Sequence, residues 1–135
     1  MLGRHAFAAR VSCAIEEEDT DAFIAGVAEH PDGDGLSLLL MCSLQTPDEQ
    51  DIDLGQGTYC LTDEQGITAY GCVETIKLTR SHLRLTLKPD TDEFGWTRAT
   101  VRLHIDENSR HELAGGLRRV LAYGRPEARP TAIDV

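Results

Sequence analysis

The sequence predicts an α+β domain: a mostly antiparallel β-sheet with one C-terminal amphipathic helix packed on it. Short apolar runs separated by Gly, Pro and Asp turns fill most of the chain, as is typical of consecutive strands. Apolar and polar residues alternate cleanly over residues 83–88 and 100–105, which is the period of a half-buried strand. A helical apolar period is clearest after residue 106. The helix is therefore expected to follow the strands.

The first half of the chain predicts a hairpin followed by a central strand. Residues 6–15 and 22–28 have strand character, and the acidic turn at residues 16–19 divides them. The cluster His-Pro-Asp-Gly-Asp-Gly at residues 30–35 is the clearest turn, since Gly permits positive φ and Asp bonds its own backbone. Residues 36–44 are apolar on both pleat faces, which indicates a strand covered on both sides.

The second half predicts a solvated sheet with a basic outer face. Leucines at 83, 85 and 87 point to one side, and the apolar residues at 101, 103 and 105 repeat the pattern. The outward positions define a basic stripe, formed by Lys77, Arg84, Lys88 and Arg102. A solvated strand face is the simpler explanation of this stripe, because no aromatic residue is interleaved for stacking on RNA bases.

The C-terminal helix has a capping residue, an apolar stripe and an end signal. Asp106 or Asn108 can cap its first turn. Its apolar stripe consists of Leu113, Leu117, Val120 and Leu121. The pair Gly115-Gly116 suggests a close approach of helix to sheet, and Gly124 ends the helix. We therefore predict one domain over residues 1–123 and an extended, mobile tail over residues 124–135.

Length and composition indicate a cytoplasmic single domain. The chain has 135 residues and is 41% apolar, enough for a core without disulfides or a metal. Its longest apolar runs are of strand length, far below the roughly 20 residues of a membrane helix. The first residues contain neither an apolar h-region nor a small-residue cleavage site, so we expect no signal peptide.

The motifs of common enzymes and metal sites are missing from the sequence. Four widely spaced cysteines form no C-x-x-C pair and are interpreted as reduced thiols: Cys13, Cys42, Cys60 and Cys72. Neither a Gly-x-Ser-x-Gly motif nor a phosphate-binding Gly-Lys-[Ser/Thr] loop occurs. A cysteine nucleophile would need a histidine brought near it by the fold. We predict a protein without enzymatic activity, catalytic residues or a cofactor.

Charge is distributed unequally between the two halves of the chain. The net charge is −10. Residues 1–66 carry two arginines against fourteen carboxylates, a net charge of −12, whereas residues 67–135 carry a net charge of +2. An acidic surface repels nucleic acid and anionic membranes, because binding to phosphates requires Lys and Arg. We therefore expect neither as a partner; the acidity suits a basic protein, although it also confers solubility.

An acidic loop occupies the centre of the sequence. Four carboxylates fall within six residues: Asp48, Glu49, Asp51 and Asp53. Such a cluster could hold Ca²⁺ through oxygen ligands. The usual EF-hand pattern is broken, because position 50 is Gln and position 52 is Ile. A metal- or small-ligand-binding module that uses residues 48–53 is the alternative interpretation.

The segment from Pro47 to Tyr70 also carries a family resemblance. Its Asp-Glu-Gln-Asp-Ile, Leu-Gly, Thr-Tyr-Cys and Tyr-Gly elements resemble the immunity protein 10 family of bacterial polymorphic toxin systems, and the layout of residues 6–123 is similar to that family. Two positions depart from its pattern. The chain has Met-Cys-Ser-Leu-Gln at 41–45 where a Leu-Gln-Arg-like ending is frequent, and Cys72 replaces the second Gly of Tyr-Gly-Gly.

The resemblance implies an immunity protein that binds and neutralises a cognate toxin domain. The charged contacts would be Asp48, Glu49, Asp51 and Asp53, and Tyr59 and Tyr70 would be aromatic anchors. The competing interpretation is structural: Asp48 caps a turn, Ile52 and Leu54 fill the core, and both tyrosines are packed. A homodimer is possible, but no sequence feature specifies one.

Overall fold

A computed structural model describes residues 3–32, 34–45, 57–124 and 126–135. Within these residues, one α-helix, α1 (Glu107–Leu121), and a 3-10 turn (Pro126–Ala128) accompany the strands. The strands are β1 (Gly3–Ala9), β2 (Val11–Glu17), β3 (Ala22–Ala28), β4 (Ser37–Ser43), β5 (Cys60–Asp63), β6 (Thr68–Tyr70), β7 (Val73–Leu78), β8 (His82–Leu87), β9 (Trp96–Leu103) and β10 (Ala132–Asp134). The predicted class, mainly β-sheet with one C-terminal helix, is confirmed.

The strands form two sheets of five rather than the single sheet expected from the sequence. The first sheet has the order β1-β9-β8-β7-β10, and the second has the order β2-β3-β4-β5-β6. The predicted strand over residues 6–15 divides at Arg10, so that β1 pairs in parallel with β9 while β2 pairs antiparallel with β3. Strand-forming residues continue on both sides of Arg10, and one charged residue is compatible with a single strand, so the sequence pattern could not show that the chain changes sheets.

The second sheet is a continuous antiparallel meander. The predicted hairpin is confirmed as β2 and β3, in which Ile15 pairs with Ile24 and Glu17 with Ala22. Strand β4 is central, as predicted, because it pairs with both β3 and β5. The expected cover on both sides is wrong: one face of β4 is buried, whereas Leu39 and Met41 on the other face are only half-buried. Gly35 has a φ of 84° in the turn before β4, a backbone conformation that favours glycine.

Helix α1 packs on the inner face of the second sheet. Asp106 caps it, since its Oδ1 accepts a hydrogen bond of 2.7 Å from the backbone N–H of Ser109. The predicted apolar stripe is buried in full: Leu113, Leu117, Val120 and Leu121. At Gly116, an added Cβ would lie 2.8 Å from the Cβ of Ala14 and 3.1 Å from that of Ala25. The expected close approach of helix to sheet is therefore made at Gly116.

The C-terminal residues, predicted as a tail, make contacts with the first sheet. Strand β10 pairs in parallel with β7, with Ile133 opposite Ile76. The backbone N–H of Thr131 donates to the carbonyl of Glu74 at 2.8 Å, and Lys88 Nζ donates to the carbonyl of Ala128 at 3.1 Å. These bonds attach residues 126–135 to the edge of the sheet. In the described part of the chain, no helix is long and apolar enough to cross a membrane.

Candidate partner-binding site

The predicted charged contacts, Asp48, Glu49, Asp51 and Asp53, lie outside the described residues, but the residues on either side of them are described. Tyr123 contacts both sides. Its hydroxyl donates to the carbonyl of Gln45 at 2.8 Å, and its own carbonyl accepts from Thr58 Oγ1 at 3.4 Å. Gln45 and Thr58, which are described, are therefore both bonded to Tyr123, two residues after the end of α1.

An exposed acidic turn lies next to this position. The turn connects β2 to β3, and the carbonyl of Asp21 accepts a hydrogen bond of 3.0 Å from the backbone N–H of Leu44. Asp21 itself has a φ of 54°, in the left-handed region that aspartate tolerates better than most residues. Glu16 pairs with Arg119 of the helix at 3.0 Å. The turn thus brings the carboxylate of Asp21 to 3.5 Å from the side-chain amide of Gln45.

Tyr59, which the sequence suggested as an anchor, is fully buried. Its hydroxyl accepts a hydrogen bond of 3.1 Å from the backbone N–H of Val73 and donates one of 3.0 Å to the carbonyl of Ala128. Burial raises the pKa of this phenol well above its ordinary value. In this conformation Tyr59 joins β7 to the C-terminal segment and presents no surface to a partner.

Tyr70, the second suggested anchor, has 45% of its surface exposed. It ends β6, the edge strand of the second sheet, and pairs with Cys60. A groove runs across this end of the sheet, and its lining includes Asp21, Met41, Tyr70 and Tyr123. Tyr70 is therefore placed beside the acidic turn and near Thr58, which follows segment 46–56.

The two sheets differ in charge, because their strands come largely from different halves of the sequence. All five strands of the second sheet come from residues 11–70, a segment with fourteen carboxylates and neither Lys nor Arg. Three residues of the basic stripe lie instead on β7, β8 and β9 of the first sheet, where Lys77 pairs with Arg84, and the fourth, Lys88, directly follows β8. The segment that forms the second sheet and its turns is therefore strongly negative, whereas the first sheet carries the basic stripe.

Part of the basic stripe has a structural role. Lys88 is half-buried, and its Nζ donates to two carbonyls of the C-terminal segment, those of Glu127 at 3.4 Å and Ala128 at 3.1 Å. Lys77 lies 3.9 Å from Asp134 of β10. These contacts within the chain explain two of the four basic residues of the stripe, so that neither a nucleic acid nor a protein partner is needed to explain those two.

The thiols are poorly suited to nucleophilic chemistry. All four cysteines are free. Burial raises the pKa of each thiol, in the case of Cys72 to about 12. Since the thiolate is the nucleophilic form, these groups are essentially protonated at neutral pH. Among residues 3–32, 34–45, 57–124 and 126–135, no group of three His, Cys, Asp or Glu side chains is placed to hold a metal ion.

Tyr123 is the residue of this site that the sequence did not single out. A lone aromatic residue at the end of an amphipathic helix has no distinguishing pattern, and its partners lie far away in sequence, 78 residues in the case of Gln45. The capping function of Asp106 was recognisable because its partner is only three residues away. Only the assembled fold reveals contacts as remote as those of Tyr123.

These observations define the class as an acidic β-protein of two sheets with a C-terminal helix. A family model described as Immunity protein 10 matches residues 8–114. The chain belongs to the immunity protein 10 family, which confirms the resemblance seen in the sequence. No curated protein and no solved structure matches the chain.

Proposed function

We propose that this chain is a non-enzymatic immunity protein that binds a cognate toxin domain of a bacterial polymorphic toxin system and neutralises it. The observation that carries the proposal is the family match over residues 8–114. Two properties of the chain support it: the second sheet and its turns come from a segment without Lys or Arg, and the thiols are held protonated. Binding rather than turnover fits both properties.

The proposed charged contacts are the four carboxylates of the acidic loop, Asp48, Glu49, Asp51 and Asp53, with Tyr70 as the aromatic contact. Toxins that act on nucleic acid commonly carry basic clefts, and acidic side chains steer association with such a surface. Tyr70 is exposed beside the acidic turn, whereas Tyr59 is buried and is not part of the proposed surface. We place this activity in the cytoplasm, because four unpaired thiols suit a reducing compartment.

The test is to measure binding of the purified chain to the toxin domain expected beside its gene, and to assay the toxin's activity. A quadruple variant removes the charge of the acidic loop and leaves the size of its side chains almost unchanged. It carries the substitutions Asp48→Asn, Glu49→Gln, Asp51→Asn and Asp53→Asn. We expect tight binding and inhibition by the unmodified chain, and an association rate reduced about ten-fold or more in the variant.

Three other outcomes bear on the proposed function or on the role of the acidic loop. Intact binding by the quadruple variant would retain the function and remove the loop from the interface. Failure of the unmodified chain to bind the neighbouring toxin would overturn the immunity proposal. In that case, a melting temperature raised by Ca²⁺ or Mg²⁺ and restored by EDTA would favour the metal-binding alternative.

A further inference from the structure

The outer face of the second sheet carries an apolar row that crosses all five strands. Cross-strand pairing places its members side by side: Ile15, Ile24, Met41, Cys60 and Tyr70. With strands about 4.8 Å apart, the row extends roughly 19 Å. Leu39 lies beside the row on β4 and leans over Gly26, where an added Cβ would be 2.6 Å from Leu39 Cδ2.

Helix α1 covers the opposite face. On this face uncharged polar residues lie to either side of the apolar row and not within it: Ser37, Ser43, Thr62 and Thr68. The helix packs against Ala14 and Ala25, whose side chains point away from the row. The two ends of the row are the most exposed, Ile15 by 52% and Tyr70 by 45%. Within the five strands, all of them described, Glu17 at one corner is the sole charged outward side chain. An exposed antiparallel face normally alternates to polar residues, so an apolar one indicates an interaction surface.

The margins of this face are acidic at both ends of the strands. The turn between β2 and β3 exposes Glu18, Asp19 and Asp21, and the turn between β3 and β4 exposes Asp32 and Asp34. An apolar centre with a charged rim is the usual anatomy of a protein interface. The acidic rim also favours one kind of binding partner over another. Two copies of this chain meeting through the face would bring like charges together, which is costly, whereas a basic partner would pair with them.

We propose that the outer face of the second sheet is the surface that receives the toxin, through an apolar patch flanked by Lys or Arg on the toxin domain. This inference rests on the proposed function and assigns it to a specific face. The row supplies the buried centre of the interface, and the acidic turns supply its rim and steer the approach of the partner.

Two exposed isoleucines provide a matched test. Ile15 lies on β2, an edge strand of the second sheet, and Ile133 lies on β10, an edge strand of the first, with exposures of 52% and 43%. Binding of Ile15→Lys and Ile133→Lys to the toxin domain encoded beside the gene would be measured by titration calorimetry, after circular dichroism has verified folding. Ile15→Thr, which keeps a β-branched side chain, is the milder variant in case Ile15→Lys does not fold.

We expect Ile15→Lys to weaken binding at least about ten-fold and Ile133→Lys to change it less than about two-fold. Equal affinities for both variants would overturn the assignment of the face while leaving the proposed function intact. Failure of the unmodified chain to bind the toxin would overturn the function and this inference together. A dimer of the unmodified chain that Ile15→Lys dissociates in sedimentation would assign the face to a second copy and overturn the proposal.

Discussion

At the scale of single residues, polar contacts join parts of the chain that are far apart in sequence. The Tyr59 hydroxyl links the backbone of Val73 to that of Ala128, 69 residues away from Tyr59. Tyr123 joins Gln45 and Thr58 in a similar way. These contacts affect stability, because a buried donor or acceptor that loses its partner has given up its hydrogen bonds to water and gains none in return.

We expect Tyr59→Phe to lower the free energy of unfolding by about 1–3 kcal/mol, because it leaves the Val73 N–H and the Ala128 carbonyl without this partner. Urea denaturation followed by circular dichroism measures the change. Thr97→Val, which removes one exposed hydroxyl from β9, is the control and should change stability by less than about 0.5 kcal/mol. An equal effect of the two variants would mean that the buried hydroxyl has no special role.

Asp106 gives a prediction about pH. The hydrogen bond from Ser109 lowers the pKa of its carboxyl group below the ordinary value. Because the pKa is lower in the folded state, the charged carboxylate stabilises the fold. This stabilisation is complete above the pKa of the unfolded chain, about 3.9, and is lost as the pH falls through the pKa of the folded protein. The melting temperature should therefore be higher than that of Asp106→Asn at pH 7, and the difference should shrink below about pH 3.9.

Thermal melts of both proteins between neutral and acidic pH measure this difference. Asp90→Asn, a change at an exposed carboxylate outside the helix, is the control for general charge effects. A difference between the protein and Asp106→Asn that stays constant down to the most acidic pH would contradict a contribution from the charged cap.

At the scale of elements, two adjacent glycines in α1 have opposite surroundings. Gly115 faces open space, whereas an added Cβ at Gly116 would lie 2.8 Å from the Cβ of Ala14. We expect Gly115→Ala to stabilise the protein by up to about 1 kcal/mol through helix propensity. Gly116→Ala should destabilise it by about 1–3 kcal/mol, because the helix must move away from β2 and β3.

Chemical denaturation of the two variants measures both signs. The pair is its own control, since the substitutions are chemically identical and one residue apart. Stabilisation by Gly116→Ala would show that the helix and second sheet separate at little cost, and destabilisation by Gly115→Ala would contradict its open surroundings.

At the scale of the whole molecule, the acidic turns of the second sheet and the basic stripe of the first sheet form two surfaces of opposite charge. Attraction between exposed charges is screened over about 10 Å at 0.1 M salt and about 3 Å at 1 M. The association rate with the toxin domain should therefore fall as NaCl rises from about 0.05 to 0.5 M, with a smaller effect on the dissociation rate. Stopped-flow mixing measures both rates, and an association rate independent of salt would contradict electrostatic steering.

The sequence by itself determined the class of the protein, because that class depends on local patterns. Alternation at residues 83–87 identified β8, and the apolar stripe identified α1. The capping residue was narrowed to Asp106 or Asn108, and the structure shows Asp106. The family also followed from a contiguous segment, residues 47–70, since a linear motif is preserved in the unfolded chain.

Only the tertiary structure decided how these elements are arranged. The division at Arg10, the parallel pairing of β1 with β9 and of β10 with β7, and the burial of Tyr59 all depend on partners distant in sequence. The apolar row depends on the register of five strands, which places Ile15 and Tyr70 at its two ends. Hydrophobic periodicity specifies which side of a strand is apolar. Which side of the strand faces solvent depends on which side another element covers, and that is decided only when the elements pack together.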